Sequence, residues 1–122
     1  MNIRHASLAC AAFAAAATVL FPVYAATPYP DRPVRLVVGF PPGGAADILG
    51  RIAAQQLSER IGQQVVVDNR GGAGGLIATE IAARANADGY TLLFSSIPHV
   101  INPHLYKKVS YDAIRDFTPV VQ

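Results

Sequence analysis

Tryptophan is absent from this 122-residue chain, cysteine occurs once, and Lys, Arg, Asp and Glu together make up only 15% of it. With a single cysteine, Cys10, the chain has no pair from which to build an internal disulfide. The aromatic residues Tyr90, Tyr106, Tyr111 and Phe117 are scattered and read as packing groups, not as a stacking platform. Charges are equally dispersed. No run of one sign exists that could coat a phosphate backbone, and the formal charge of +2 includes Arg4 of the N-terminal stretch. Nucleic acid is therefore not an expected partner. Several chemical signatures are missing too. No G-x-x-x-x-G-K-[ST] run is present, and a G-x-G-x-x-G beginning at Gly72 fails at Ile77. No G-x-S-x-G elbow precedes a helix, which argues against Ser95 or Ser96 as a nucleophile activated by His99. His99 and His104 stand without the cysteine or carboxylate company of a metal site. No catalytic residue, metal or cofactor is expected.

What the chain does have begins with an export signal. Arg4 supplies the positive start, Ala6 to Phe21 is almost continuously apolar, and Val23-Tyr24-Ala25 offers small residues where a signal peptidase reads. Residues 1–25 are expected to be removed, with cleavage after Ala25 or Ala26. The run is short for a membrane span of about 20 residues, and Ser7-Leu8-Ala9-Cys10 is a poor lipoprotein box. The exported part loses Cys10 and keeps roughly 97 residues, enough for one small core. Asp116 to Gln122 reads as the start of a strand with no turn behind it. The chain is thus expected to be the front of a longer protein.

After the signal, two periods alternate. Val34 to Phe40 is β-branched and apolar on both alternations, as a strand covered on both faces of a parallel sheet would be. From Ala45, the residues Ile48, Leu49, Ile52, Ala53, Leu57 and Ile61 recur at helical spacing and predict one buried stripe. Gly62 marks the helix stop. Val65 to Val67 predicts a second strand running to Asp68-Asn69. Leu76 to Ala85 predicts a second helix with Ile77, Ile81 and Ala82 inward, and Tyr90 to Ser95 a third strand after the Asp88-Gly89 turn. Ile97 to Tyr111 reads as loop with one helical turn near Pro103. The order is βαβαβ, an α/β parallel sheet.

Such sheets bind ligands beyond the carboxyl ends of their strands. Both glycine clusters, Pro41-Pro42-Gly43-Gly44 and Gly71-Gly72-Ala73-Gly74-Gly75, fall there, as does the stretch Ser96 to Asn102. A glycine turn before a helix presents bare backbone N–H groups, a natural grip for an anion. The same glycines would also serve a tight turn that only needs positive φ. Asp47 fits the first helical turn, where its charge complements the dipole and pairs with Arg51 four residues on. Arg70 could steer an acidic ligand or simply face solvent. Ser95 and Ser96 could donate hydroxyl hydrogen bonds or merely end a strand.

The run Arg35-Leu36-Val37-Val38-Gly39-Phe40-Pro41-Pro42-Gly43-Gly44-Ala45-Ala46-Asp47 resembles the first signature of the Bug (Bordetella uptake) family, the periplasmic solute-binding components of tripartite tricarboxylate transporters. Val65 to Gly75 is similar to the second and Ala87 to Leu93 to the third, with Ile101 to Tyr106 and Tyr111 to Phe117 continuing the series. This resemblance implies a two-lobed, venus-flytrap protein, of which residues 26–122 would be the first part of lobe I, truncated before lobe II. It further implies a small carboxylate ligand, delivery to membrane permease subunits, a periplasmic location, and a monomer when full length. The ligand-binding positions carried over are Phe40, Pro41, Gly43, Gly44 and Ala45 from the first loop, and Gly72, Ala73, Gly74 and Gly75 from the second. Ser95, Ser96 and His99 come from the third. Ala46 stands where many members have Ser or Thr, and Gly71 where many have Pro. Two other roles stay open at this point: an exported α/β enzyme holding a phosphate-bearing or acidic substrate in the same loops, and a sensor whose closed form is read by a receptor.

Overall fold

Val34, Leu36, Val37 and Val38 are branched, apolar and almost wholly removed from water, which a strand achieves only at the centre of a sheet covered on both faces. In the computed structural model, which describes residues 28–120, this segment is β1 (Val34–Val38). It pairs in parallel with β2 (Val65–Asn69) on one side and β3 (Thr91–Phe94) on the other, giving the order β2-β1-β3. The register sets Leu36 opposite both Val67 and Leu92, and Val38 opposite Asn69 and Phe94.

Helix α1 (Ala45–Ile61) crosses from β1 to β2, and α2 (Leu76–Ala83) crosses from β2 to β3 behind a short turn at Ala73–Gly75. Right-handed crossovers in opposite directions put the two helices on opposite faces. Val34, Leu36 and Val65 pack with Ala54, Leu57 and Ile61 of α1, whereas Val37 alternates to the face that α2 covers. Burying one such valine side chain contributes roughly 1.5–3 kcal/mol. Gly62 ends α1 at φ 69°, its N–H donating to Ser58 O at 3.0 Å. Before β1, the Tyr29 hydroxyl donates to Gly89 O, and Arg32 lies 4.2 Å above the Tyr90 ring. The aromatic side chains here fasten the entering chain to the α2–β3 turn.

Four expectations are corrected. The stripe expected on α1 is only half buried: Ile48, Leu49 and Ile52 are 54%, 57% and 50% exposed, and the inward face at the helix start is Asp47, Gly50 and Ala54. The reason is proximity. A Cβ on Gly50 would lie 3.0 Å from Val38 Cγ2, so only small residues fit where α1 meets the sheet. On α2 the inward residues are Ala78 and Thr79, Ile77 is exposed, and the helix ends at Ala83.

The segment after β3 is a two-turn helix, α3 (Pro98–Leu105), with Pro98 at its start and Pro103 inside it. Pro103 cannot donate to the carbonyl four residues back, that of His99. The buried Tyr111 hydroxyl donates to it at 2.9 Å, so the helix survives its proline. Finally, residues 116–120 form no strand. Thr118 to Val120 are exposed and unpaired with the sheet, and an isolated strand has no hydrogen-bonding partner to hold it. The export signal expected at residues 1–25 lies outside the described residues.

Candidate functional site

The first loop leaves β1 through Gly39 and Phe40 and turns at Pro41 to Gly44. Gly43 takes φ 85°, while Gly44, the residue that opens α1, is extended at φ −82°, ψ 169°. No side chain caps this helix start. Instead Asp47, buried in the first turn, reaches back: its Oδ2 accepts from the Gly43 N–H at 2.8 Å and from Arg51 Nε at 3.0 Å. Its Oδ1 accepts from Asn69 Nδ2 at 2.9 Å. The Gly43 amide is therefore already committed, and the unclaimed donors of this end are those of the helix's first turn. Asp47 has the helix-start and Arg51-pairing role its position suggested.

These donors hold the Asp47 carboxyl well below its ordinary 3.8, at about 2, with Arg51 the largest cause, then the Gly43 amide, then Asn69. A lowered native value stabilises the fold above the unfolded value, and that stabilisation is lost as pH falls through the native one. We expect the gap in urea midpoint between the native protein and Asp47→Asn to be constant above about pH 5 and to shrink between about pH 4 and pH 2. A gap that stays constant down to pH 2 would show that the charge of Asp47 is not what holds the turn.

The second loop follows β2. Four successive residues have positive φ: Gly72 at 133°, Ala73 at 47°, Gly74 at 60° and Gly75 at 84°. This left-handed turn is closed by the Gly75 N–H donating to Gly72 O at 3.0 Å. Two side chains hold it from below. Thr79 Oγ1 donates to Gly75 O at 3.0 Å, and the buried Asn102 of α3 donates from Nδ2 to Gly74 O at 3.2 Å. Ala73 is the one non-glycine in the turn, and a left-handed alanine costs roughly 1–2 kcal/mol. Ala73→Gly should therefore raise stability by up to about 1 kcal/mol in chemical denaturation, part of the relief being spent on the looser unfolded chain.

The two loops touch. A Cβ on Gly71 would meet Pro41 Cδ at 3.3 Å, and one on Gly39 would meet Gly75 Cα at 3.0 Å. Between them and the end of β3 lies a pocket with room for little more than one water centre, about 10 Å3. Of the residues expected from the sequence, it brings together Phe40, Gly74, Gly75, Ser95, Ser96 and His99. Pro41, Gly43, Gly44, Ala45, Gly72 and Ala73 are exposed and lie outside its lining. Gly39, Thr79, Leu93, Phe94 and Pro98 complete the wall. Of these, Gly39 carried a legible signal, since a glycine ending a buried strand marks a close backbone approach.

His99 and the serines share this wall without forming a catalytic pair. The His99 ring stacks on Tyr111 with centroids 5.6 Å apart and meets the Phe117 edge at 4.7 Å. Its Nε2 lies 3.1 Å from Ala113 O, its buried Nδ1 has no partner among the described residues, and Ser95 Oγ donates to Ser96 O at 3.3 Å. Tyr111 is held above its usual range by burial, and Phe117 packs beside it. Outside the pocket, Arg70 does not stand free for a ligand: its Nε donates to both oxygens of Asp68, which Arg35 also binds. Burial opposes the charge on Asp68, but the two arginines outweigh it and its carboxyl lies below the ordinary value. Among the described residues, no group of three His, Cys, Asp or Glu could hold a metal ion.

Known proteins are similar to this chain in sequence and fold. The model of the tripartite tricarboxylate transporter family receptor matches residues 49–122. BugT of Bordetella pertussis is 43% identical over 122 residues, covering 98% of this chain and 37% of its own length. Among solved structures, the periplasmic binding protein BugD superposes with a TM-score of 0.72 at 43% identity, over 75% of this chain and 30% of BugD. The R. palustris protein Rpa4515, solved with adipate, gives 0.69 at 44% identity, over 76% of this chain and 31% of that one. The chain thus spans well under half the length of the relatives it matches.

Proposed function

Because the chain belongs to the tripartite tricarboxylate transporter receptor family, we propose that it is the ligand-gripping part of an exported solute-binding protein. The whole protein would capture a small organic acid by its carboxylate and pass it to the permease subunits of a tripartite transporter. On this reading residues 1–25 are the cleaved signal, residues 26–122 are the first part of one lobe, and the full-length protein works as a monomer in the periplasm. Adipate in the Rpa4515 structure supports the ligand class.

The observation that carries the reading is the pocket at the strand ends, where Gly39 and Phe40 of the first loop meet Gly74 and Gly75 of the second glycine turn. Binding, not bond-breaking, is the role in keeping with a receptor family whose solved members include a periplasmic binding protein. Pockets that enclose a whole small ligand run to roughly 300–1,000 Å3. One of about 10 Å3 has room for about one carboxylate oxygen, and the rest of the acid would be enclosed by residues beyond this segment. Ser95 and Ser96 would offer hydroxyls there, while Gly43, Gly44, Ala45, Gly72 and Ala73 would shape the turns at its edge.

The energies suffice. Micromolar affinity is about 8 kcal/mol, and a hydrogen bond to a charged group contributes roughly 1.5–3 kcal/mol. Four to six such bonds, less ordering costs, need no buried arginine. The test is calorimetric titration of the protein expressed from its complete coding sequence with adipate and a panel of mono-, di- and tricarboxylates, inorganic phosphate serving as contrast. Micromolar binding of one or more acids is expected. Binding of phosphate alone, or of nothing in the panel, would defeat the proposal.

A further inference from the structure

Asn69, the last residue of β2, belongs to neither glycine cluster, yet its side-chain amide joins the parts that both clusters depend on. One Nδ2 proton goes to Phe40 O at 3.0 Å, in the main chain of the first loop and on the wall of the pocket. The other goes to Asp47 Oδ1 at 2.9 Å, and Asp47 in turn holds the Gly43 N–H. The Asn69 Oδ1 receives a long contact from Arg51 Nη2 at 3.5 Å. Both amide protons are therefore spent on the first loop and its helix. The second loop starts at the next residue, Arg70, whose N–H donates to Val38 O at 2.8 Å. Few side chains could replace this amide. An aspartate would set two carboxylates against each other and leave Phe40 O unmet, and a leucine would supply no donor.

We propose that Asn69 is a positioning residue that sets the spacing between the first loop at Phe40 and the second glycine turn, so that a carboxylate of the ligand meets both at once. The inference rests on the carboxylate-binding reading above. It touches no ligand atom itself; it acts through Phe40 and Asp47.

Asn69→Asp makes the idea testable, because its effect should depend on pH. A carboxyl facing Asp47 stays protonated at low pH and can still donate its one proton to Asp47 Oδ1; once ionised it repels Asp47 and Phe40 O, the Arg51 guanidinium beside it offsetting only part of that repulsion. In the protein expressed from its complete coding sequence, the variant should bind adipate, or whichever panel acid the unaltered protein binds, within about threefold of normal at pH 5. At pH 8 it should bind about tenfold more weakly, the ordinary worth of one charge-assisted hydrogen bond. Asn69→Ala should be weak at both values. Exchanging the pair, Asp47→Asn with Asn69→Asp, should recover part of the affinity at pH 8, because it removes the carboxylate pair while leaving Phe40 O without its donor, and general loss of stability would not produce that recovery. Hydrogen exchange at the Gly43 amide gives a readout that needs no ligand: the ratio of Asn69→Asp to unaltered protein should rise from pH 5 to pH 8. Equal affinity in Asn69→Asp and the unaltered protein at both pH values overturns the proposal, as does an exchange ratio independent of pH. Failure of the unaltered protein to bind any acid would refute the carboxylate reading alone, and the exchange ratio would still decide the role of Asn69.

Discussion

Replacing Gly39 with valine should abolish carboxylate binding and lower the melting temperature by several degrees. The cause is crowding by atoms that cannot step aside. A Cβ at this position would stand 3.0 Å from Gly75 Cα, 3.4 Å from Ala78 Cβ and 3.5 Å from Gly75 O. Two of these are main chain, and the third is a methyl on a packed helix. Even alanine requires the second turn to move by a few tenths of an ångström, and valine adds two further methyl groups. Overpacking of this kind costs about 1–3 kcal/mol, a large part of the roughly 5–15 kcal/mol that keeps a domain folded. The displaced element is the one Thr79 and Asn102 hold at Gly75 O and Gly74 O, so the pocket opens along with the strain. Calorimetry and thermal denaturation of the full-length variant would check both effects. Affinity within threefold of the unaltered protein would mean that the contact between Gly39 and Gly75 does not shape the site.

Gly43→Val is expected to weaken binding by at least about tenfold, for a different reason. Space is available, since nothing lies within 4 Å of the added Cβ, but φ is 85°, which a β-branched residue rarely adopts. Relaxing that angle withdraws the Gly43 N–H from Asp47 and leaves a buried carboxylate short of a donor. Gly44 is the control. Its extended backbone suits any residue, so Gly44→Ala should bind within about threefold of normal. If the two variants behave alike in titration, backbone conformation at Gly43 is not the controlling factor.

Much of the framework could be read from residue types. Strands β1 and β2 announced themselves by runs of branched apolar residues, Gly62 marked the end of α1, and the alternation of periods gave the parallel βαβαβ order. The misreadings share one physical origin: each turned on a partner distant in the chain. Periodicity located α1 but not its inward face, because Gly50 and Ala54 fit against Val38 and Val65 only once the helix lies on the sheet. Residues 97–111 read as loop with a single helical turn near Pro103, because the hydroxyl that replaces the missing bond and lets α3 run on comes from Tyr111. Asn69 was passed over because its partners, Phe40 and Asp47, lie 29 and 22 residues away. The glycine turns were legible as turns. Which of their residues wall the pocket was not, since that depends on how closely Gly39 and Gly75 approach.

The ion pairs at the strand ends bear on how a ligand arrives. Asp47 is matched by Arg51, and Asp68 by Arg35 and Arg70, all within contact distance. Three arginines face two carboxylates there, so this end of the sheet keeps a net charge of +1, screened over a Debye length of about 8 Å at physiological ionic strength. An acid in solution would be drawn weakly towards the strand ends, and its capture rate should fall modestly as salt is added.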